Sequence, residues 1–598
     1  MSELKSRNEI DDKYKWRIDD IYTDISQWQC DYKKATELIP NLKKYKATLS
    51  QSPESLFECL KFSEEVSLLI SKIYVYANMR FHEDGTVSES QSMAAKAESL
   101  IVIYNAESSF IIPEMLEMPQ EKLLTFMEQK DEYKVYRHYI NNIIRAKEHT
   151  LSAKEEQLLA KSGEIAASMQ NIFTMLNDAD IKFPSIIDNN GKLTELTKGR
   201  YITFLESPNR KVRKEAYEAL YDTYLKQKNT LASIYSASVK KDIFYSEVRK
   251  YSTSLEASLD EDNIPIFVYN NLISAVHKNI TLLHRYVKLR KKILGVDVLN
   301  MYDLYTPLVP EIDKKIPFEQ AKQTVIDGLS PLGSEYISNL KHGLNSGWID
   351  VYENCGKRSG AYSWGIYSVH PYVLLNHNDN INSMFTIAHE MGHALHSFYT
   401  WNNMPYLYSG HKIFVAEVAS TVNEALLMEH LLKNSINKKE RMYLINYFME
   451  QFRGTLFRQT MFAEFEKITH EKAEAGEALT AENLMKIYHD LNCFYFGDEI
   501  NIDERIDIEW ARIPHFYESF YVYQYATGYS AAIKLSRKIL REGEPAVERY
   551  INFLKKGDSE YSIDLLKGAG VDMSSEEPII AALSVFEELL NEMEQLVD

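Results

Sequence analysis

The chain of 598 residues is 45% hydrophobic and 26% charged, which is the composition of a globular protein and excludes a disordered one. Its 68 lysines and arginines are outnumbered by 86 aspartates and glutamates, so the formal net charge is −18 at pH 7. Because an acidic chain repels the phosphates of nucleic acids, we expect no nucleic-acid partner.

The location of the protein is indicated by what its sequence lacks. The first residues contain no apolar segment of the kind that a secretory signal needs, and no later stretch approaches ~18 uninterrupted apolar residues. The cysteines, Cys30, Cys59, Cys355 and Cys493, lie far apart and form no C-x-x-C pair. We therefore predict a cytoplasmic protein with reduced thiols and no membrane partner.

Helical periodicity dominates the chain from its beginning to its end. Predicted helices fill most of residues 54–145, 151–176, 209–249, 437–473 and 577–596. From Asn263, an asparagine cap, Pro265 in the first turn, apolar residues at helical spacing and the terminal Gly295 predict one long amphipathic helix. No repeat of 20 to 50 residues is visible, which argues against a solenoid.

Residues 347–378 have a different pattern, being rich in Tyr, Val, Ile and Trp, with turn residues at Gly356 and Gly360. These features predict a small sheet directly before the next helix. Its edge offers hydrogen bonds to an extended peptide, but strands that only pack the helix fit the sequence equally well.

The helix that follows carries SMFTIAHEMGHALHSFYT, residues 383–400, in which H-E-x-x-H begins at His389. Asn382 or Ser383 can cap this helix. On a helix His389 and His393 are about 40° apart and separated by ~6 Å along the axis, so that both imidazoles can bind one ion. The motif indicates a zinc site.

A catalytic zinc ion bound by two imidazoles needs one more protein ligand. Residues 413–432 predict a second helix, with Glu417 and Glu424 on the side opposite to an apolar stripe. Glu417 is the predicted ligand, and Glu424, seven residues later, is expected to hydrogen-bond to a liganding histidine. His396 lies ~10.5 Å along the axis from His389, so we expect it beside the site, with the alternative that it binds the metal.

Four segments, GKRSGAYSWGIYSVHPYVLLNHN, IAHEMGHALHS, FVAEVASTVNEALL and WARIPHFYESFYVYQYATGYSAA, occur in this order. With them the chain resembles the oligoendopeptidase F family, zinc peptidases related to thimet oligopeptidase and neurolysin. The resemblance implies a mainly α, elongated, zincin-type fold with a deep substrate channel and a small sheet beside the zinc-binding helix. It also implies an N-terminal helical region, residues 1–200, that forms part of the channel wall, and a catalytic domain, residues 201–598.

The resemblance assigns roles to the motif residues. It makes His389, His393 and Glu417 the ligands of one Zn²⁺ per chain, and Glu390 the general base. In this arrangement His396 and Glu424 stay beside the metal ligands.

The late His-and-Tyr segment of the family matches at His515, and Tyr525 and Tyr529 are the further candidates for catalytic residues that contact the oxyanion. The implied activity is hydrolysis of internal bonds in short oligopeptides by a monomer or small homo-oligomer. A zinc carboxypeptidase of related fold and a metal-free helical peptide-binding protein are the alternatives. A peptide blocked at both ends tests the first alternative, and metal analysis tests the second.

Overall fold

The computed structural model describes residues 4–310 and 315–597, and of residue 153 it describes the backbone alone. Helices make up most of this described chain and its strands are two to four residues long, so the predicted mainly α fold is confirmed. None of the helices in the described chain has both the length and the apolar character that crossing a bilayer requires.

The helices and strands are numbered in chain order. Those of residues 4–310 are α1 Ile25–Leu38, α2 Pro53–Glu83, α3 Ser88–Ser108, α4 Ile111–Glu117, α5 Gln120–Met127, α6 Arg137–Ala146, α7 Ala153–Thr174, β1 Ser185–Ile187, β2 Leu193–Glu195, α8 Lys198–Leu205, α9 Arg210–Leu225, α10 Lys228–Val248, α11 Ser254–Asp260, α12 Ile266–Lys278, α13 Ile280–Leu294 and β3 Leu299–Asn300.

Those of residues 315–597 are α14 Phe318–Gly328, α15 Gly333–Asn345, β4 Ile349–Asp350, β5 Tyr362–Gly365, β6 Pro371–Leu374, α16 Ile381–Asn403, α17 Ile413–Lys433, α18 Lys438–Gln451, α19 Arg458–Glu474, α20 Ala481–Phe496, β7 Ile500–Asn501, α21 Tyr523–Glu542, α22 Glu544–Leu554, α23 Ser562–Gly568 and α24 Glu577–Val597.

The chain packs into two compact units, each assembled from three separate segments. Unit 1 comprises Met1–Thr150, Lys314–Leu427 and Leu535–Gly570, and unit 2 comprises Leu151–Asp313, Met428–Lys534 and Val571–Asp598. This packing does not test the functional division expected at residue 200, which stays a proposal.

The core of unit 1 joins the beginning of the chain to its central sheet. Trp16, Trp28 and Tyr76 are buried in one cluster with Tyr372 and Leu374 of β6. Burial of such large aromatic and aliphatic side chains is the main favourable contribution to folding. The N-terminal helices and the sheet therefore depend on each other for their stability.

The small sheet is formed as predicted, in the strand order β4-β6-β5. β4 runs parallel to β6, with Ile349 opposite Val373, and β5 runs antiparallel to β6, with Trp364 opposite Tyr372. Helix α16 packs on β5 and β6. The sheet therefore supports the helix that carries the H-E-x-x-H motif.

Two details of the predicted helices are wrong. The long helix expected from Asn263 is two helices, α12 and α13, interrupted at Asn279, whose side chain donates a hydrogen bond to the carbonyl of Ala275 (2.8 Å). This local bond competes with helical backbone pairing. In α16 the cap is Asn380, whose Oδ1 accepts the Ser383 backbone N–H (2.8 Å), rather than Asn382 or Ser383 itself.

Candidate active site

The two histidines of the H-E-x-x-H motif face each other on consecutive turns of α16. The Nε2 atoms of His389 and His393 are 3.2 Å apart, and both side chains are partly open to solvent. Side chains four residues apart lie on one face of a helix, which is why the motif spacing produces this pairing.

Glu417 of α17 completes a cluster with these histidines. Its Oε2 atom lies 3.3 Å from His389 Nε2 and 3.4 Å from His393 Nε2. In the described chain this is the one group of three or more His, Cys, Asp or Glu residues whose ligand atoms all lie within 4.8 Å of one another. Two imidazoles and one carboxylate are a donor set that catalytic zinc uses, so the residues present fit that metal.

The close approach of α16 and α17 depends on Gly392. A Cβ atom added at this position would lie 2.5 Å from Ser420 Cα and 2.8 Å from the Ala419 carbonyl oxygen. Asn423 fixes the contact by donating from Nδ2 to the Ala388 carbonyl (3.0 Å). Any side chain at residue 392 would therefore separate the helices that carry the three clustered residues.

Two further contacts orient the cluster. Glu424 Oε1 lies 2.5 Å from His389 Nδ1, so its carboxylate can accept that N–H and turn the Nε2 lone pair toward the cluster. Ser420 Oγ lies 2.9 Å from the Glu417 backbone carbonyl oxygen and 3.2 Å from Glu417 Oε2, so its hydroxyl can donate to either. The structure thus places Glu424 in contact with the histidine, as the sequence predicts.

His515 and the tyrosines lie in unit 2. His515 stands in a short turn, Pro514–Tyr517, and its Nε2 is 3.4 Å from the Tyr525 hydroxyl. The Tyr521 ring stacks on the His515 ring, with centroids 5.9 Å apart. Tyr529 is buried, and its ring packs edge-on against that of Phe452.

Comparison with known proteins identifies the family. A family model described as Peptidase family M3 matches residues 203–585, and another, described as Oligopeptidase F, matches residues 114–183. The chain belongs to peptidase family M3. Oligopeptidase PepF of Bacillus subtilis is 50% identical to this M3 peptidase over 596 residues, which cover 100% of this chain and 89% of that relative. Group B oligopeptidase PepB of Streptococcus agalactiae is 39% identical, with 99% and 98% covered.

Solved structures agree with the sequence relatives. A peptidase from Chlamydophila abortus superimposes on the M3 peptidase with a TM-score of 0.93 and 35% identity, covering 99% of this chain and 100% of that chain. Oligoendopeptidase-F from Enterococcus faecium gives a TM-score of 0.76 and 37% identity, covering 96% and 99%. The predicted resemblance is confirmed, and the protein is a metallo-oligopeptidase.

The charges in the M3 peptidase cluster are strongly coupled. Burial opposes protonation of His389, but its contacts with Glu417 and Glu424 outweigh burial and raise its pKa to about 10. Burial opposes ionisation of Glu417, but its contacts with both histidines hold its pKa well below the ordinary range. Since metal ligands must be deprotonated, protons compete with an ion for these side chains.

Glu390 has the opposite electrostatic character. Its side chain is buried, and burial raises its pKa above the ordinary value, against the attraction of His389 and His393. A carboxylate with a raised pKa accepts and returns protons more readily near neutral pH.

His396 lies outside the cluster of three ligand atoms. Its buried ring packs on the rings of His411 and Phe553, at centroid distances of 3.7 and 5.3 Å. Burial lowers the pKa of His396 well below its ordinary value and that of His411 to about 4, so both rings are neutral. His411 Nε2 also lies 3.0 Å from Thr400 Oγ1.

Sequence reasoning missed several residues of this region. Asn423 and Ser420 are completely buried polar residues of α17, and their position among apolar neighbours is the signal that marks them. Tyr521 shares the four-residue spacing of Tyr525 and Tyr529 but was not favoured, and its ring, which precedes α21, stacks on that of His515. The sequence carries no signal for the pairing of His411 with His396.

Proposed function

We propose that this M3 peptidase hydrolyses internal bonds of short peptides by using one zinc ion held by His389, His393 and Glu417. The observation that carries the proposal is that these three ligand atoms lie within 4.8 Å of one another. Glu390, a buried residue of α16, directly follows His389. The printed names of the relatives, oligopeptidase and oligoendopeptidase, support short peptides as substrates.

When bound, zinc in such a donor set lowers the pKa of a coordinated water and polarises a substrate carbonyl. His389, His393 and Glu417 would hold the ion, because their ligand atoms lie close together. Glu424 accepts a hydrogen bond from His389 Nδ1–H and keeps Nε2 as the free lone pair. Ser420 restricts the rotation of the Glu417 carboxylate through its hydrogen bond.

Glu390 is the proposed general base. Its carboxylate takes a proton from the attacking water and later delivers that proton to the leaving amine. The raised pKa that burial gives Glu390 supports this double role, because it strengthens the affinity of the carboxylate for the proton that it takes up. A residue used first as a base and then as an acid needs a pKa near the working pH.

His515 and Tyr525 are the proposed donors to the oxyanion that develops on the substrate carbonyl. Their contact at 3.4 Å supports the pair, because each side chain restricts the other and both carry a polar hydrogen. Tyr529 stays a candidate on the basis of the family resemblance alone.

The edge strand β5 is the proposed binding place for an extended peptide. In the described chain β5 pairs with β6 on one side and with no strand on the other, so its outer backbone groups can hydrogen-bond to a substrate strand. Its packing on α16 supports the proposal, because the same helix carries His389 and His393.

The test compares the wild-type enzyme with the Glu390→Gln variant on a fluorogenic peptide blocked at both ends. We expect the wild type to cleave internally, and the variant to retain one zinc ion per chain while its kcat falls by about 10²–10⁴. Wild-type cleavage of the unblocked peptide alone would favour a carboxypeptidase. Normal turnover by the zinc-loaded variant would reject Glu390 as the base.

A further inference from the structure

Unit 2 contains a group of buried arginines that the proposed mechanism does not use. One half of the group is centred on Glu450, which lies 3.2 Å from Arg290 Nη1 and 2.7 Å from Arg453 Nη2. Arg290 is 0% exposed and Arg453 is 4% exposed. The other terminal nitrogen of Arg290 donates to the backbone carbonyls of Asp303 and Thr306, and its Nε has no hydrogen-bond partner among the described residues.

The other half is centred on Glu509. Arg458 donates to both of its carboxylate oxygens (2.8 and 3.2 Å), and Arg512 donates to one of them (2.8 Å). The hydroxyls of Tyr221 and Tyr488 also donate to Glu509 (3.0 and 2.6 Å). These five donors occupy the acceptor capacity of one carboxylate, which is about four lone-pair sites.

Arg512 therefore has donors that Glu509 cannot satisfy. The bond to Glu509 is the one hydrogen bond that Arg512 makes in the described chain, and its buried Nε has no partner there. Its guanidinium lies over the Tyr201 ring, 5.7 Å from the centroid. A guanidinium has five N–H donors, so most of those of Arg512 are free to bind a ligand.

The two halves meet at Tyr305. The Arg453 guanidinium lies 4.8 Å from the centroid of the Tyr305 ring, and Tyr305 is among the groups that raise the pKa of Arg453, Arg458 and Arg512. Arg453 and Arg458 are brought together by the π-helical turn Phe452–Phe457, in which hydrogen bonds join residues five apart.

The group carries more positive than negative charge. Four guanidiniums share two carboxylates, and an arginine side chain does not lose its proton in a protein. Burial opposes the charged form, yet the neighbouring carboxylates and tyrosine hydroxyls hold the pKa of Arg453, Arg458 and Arg512 above the ordinary value. Buried charge without a partner is unfavourable, so the surplus calls for a counter-ion.

We propose that Arg453, Arg458, Arg512 and Tyr305 form a binding site for a small inorganic anion such as chloride. The partial exposure of the Arg458 and Arg512 side chains, 16% and 21%, gives the ion a way in. The burial of Arg453 favours a small free ion over the carboxylate of a peptide.

The site has a consequence for catalysis that rests on the proposed function. Arg512 ends the short turn Ile506–Arg512, and His515 follows three residues later in the next turn. An anion that ties Arg512 to Arg453 and Arg458 therefore restrains the segment that carries His515. We expect kcat to rise with chloride concentration at constant ionic strength.

Bromide provides the direct test, because its anomalous scattering locates it in crystals. Soaking wild-type crystals in sodium bromide is expected to give a peak in contact with the Arg453 and Arg512 guanidiniums, and the peak should be missing from Arg512→Gln crystals. The matched control is Arg441→Gln, because Arg441 pairs one-to-one with Glu592 elsewhere in unit 2. The control should keep the peak. If the bromide peak were absent from wild-type crystals, the proposal would be overturned without any measurement of activity.

A solution measurement makes the test independent of crystals. The thermal midpoint of the wild type is expected to be higher in sodium chloride than in sodium gluconate of equal ionic strength. Arg512→Gln should lose this difference and Arg441→Gln should keep it. Equal midpoints for the wild type in the two salts would contradict an anion site.

Kinetics distinguish a substrate carboxylate from a free anion as the occupant of the arginine site. If the site bound the peptide terminus, a peptide acid would be cleaved much faster than its amide, and chloride would compete with the acid. That result would overturn the free-anion proposal. Equal cleavage of acid and amide, both accelerated by chloride, would support it. Bromide bound to an enzyme that proved inactive would reject the proposed function and leave the anion site intact.

Discussion

Glu424 of α17 contacts one histidine of the proposed zinc site. Its contact with His389 Nδ1 is expected to fix the imidazole for metal binding. The variant Glu424→Gln should therefore bind zinc about 10- to 100-fold more weakly, as measured by competition with a chelator of known affinity. Glu429→Gln, five residues later on the same helix, is the control. Unchanged zinc affinity in Glu424→Gln would contradict the orienting role.

Asp507 gives the protein a pH dependence outside the proposed zinc site. Burial raises its pKa to about 6, although its contact with His489 (2.8 Å) opposes the shift. Between pH 4 and 6 the unfolded chain has already lost this proton, whereas the folded protein still holds it. The free energy of unfolding that this group contributes is therefore full below about pH 4 and is lost as the pH rises through 6.

The variant Asp507→Asn removes this contribution. The free energy of unfolding of the variant minus that of the wild type should increase as the pH rises from 4 to 6, by on the order of 1–3 kcal/mol. Denaturant unfolding at each pH measures this difference. Between pH 6 and 8 the difference between the two proteins should stay constant, which provides an internal control. A difference that does not change between pH 4 and 6 would reject the shifted pKa.

The residues that sequence could predict are those whose chemistry follows from spacing on one helix. His389 and His393 face each other because they are four residues apart, and Glu417 and Glu424 share the polar side of α17. Asn423 could not be assigned in this way, because its partner, the Ala388 carbonyl, belongs to another helix. Contacts between elements depend on packing that no local pattern records.

At the scale of elements, the crossing of α16 and α17 decides whether the cluster forms. Gly392→Ala places a methyl group against Ser420 Cα and should destabilise the protein by about 1–3 kcal/mol and weaken zinc binding. Unfolding curves and zinc content measure the two effects. Gly163→Ala is the control, because a Cβ there meets no atom within 4 Å. Equal behaviour of the two variants would contradict the close-approach argument.

The boundaries of elements were predicted less well than their existence. Periodicity from Asn263 to Gly295 does not mark the interruption at Asn279, because apolar residues continue on both sides of it. The N-cap of α16 is Asn380, not the predicted Asn382 or Ser383. Several polar residues precede this helix, and the sequence does not show which of them adopts the capping conformation. The small sheet was predicted correctly because its composition differs from that of the helices around it.

At the scale of the whole molecule, the first residues of the chain are tied to the central sheet of unit 1. Arg7 lies 2.6 Å from Asp350, and the Val351 backbone N–H donates to the Tyr14 carbonyl (2.9 Å). Trp16 shares a buried cluster with Tyr372. A catalytic fragment that lacks the N-terminal region therefore loses part of its own core.

We expect a fragment of residues 201–598 to be poorly soluble and unable to retain zinc when it is produced alone. Co-expression with residues 1–200 should restore both properties, because the missing core partners are then supplied in trans. Soluble yield, circular dichroism and zinc content are the measurements. A fragment 201–598 that folds and cleaves peptides by itself would show that the catalytic domain is independent.

The cluster comes from two helices, with His389 on α16 and Glu417, 28 positions later in the chain, on α17. An ion shared by both acts as a removable cross-link, and at a hundredfold excess over its dissociation constant it stabilises the folded state by about 2.7 kcal/mol. A copy without the proposed metal would open more often and would be degraded sooner. If these residues hold the proposed zinc ion, the survival time of each molecule depends on whether it is loaded.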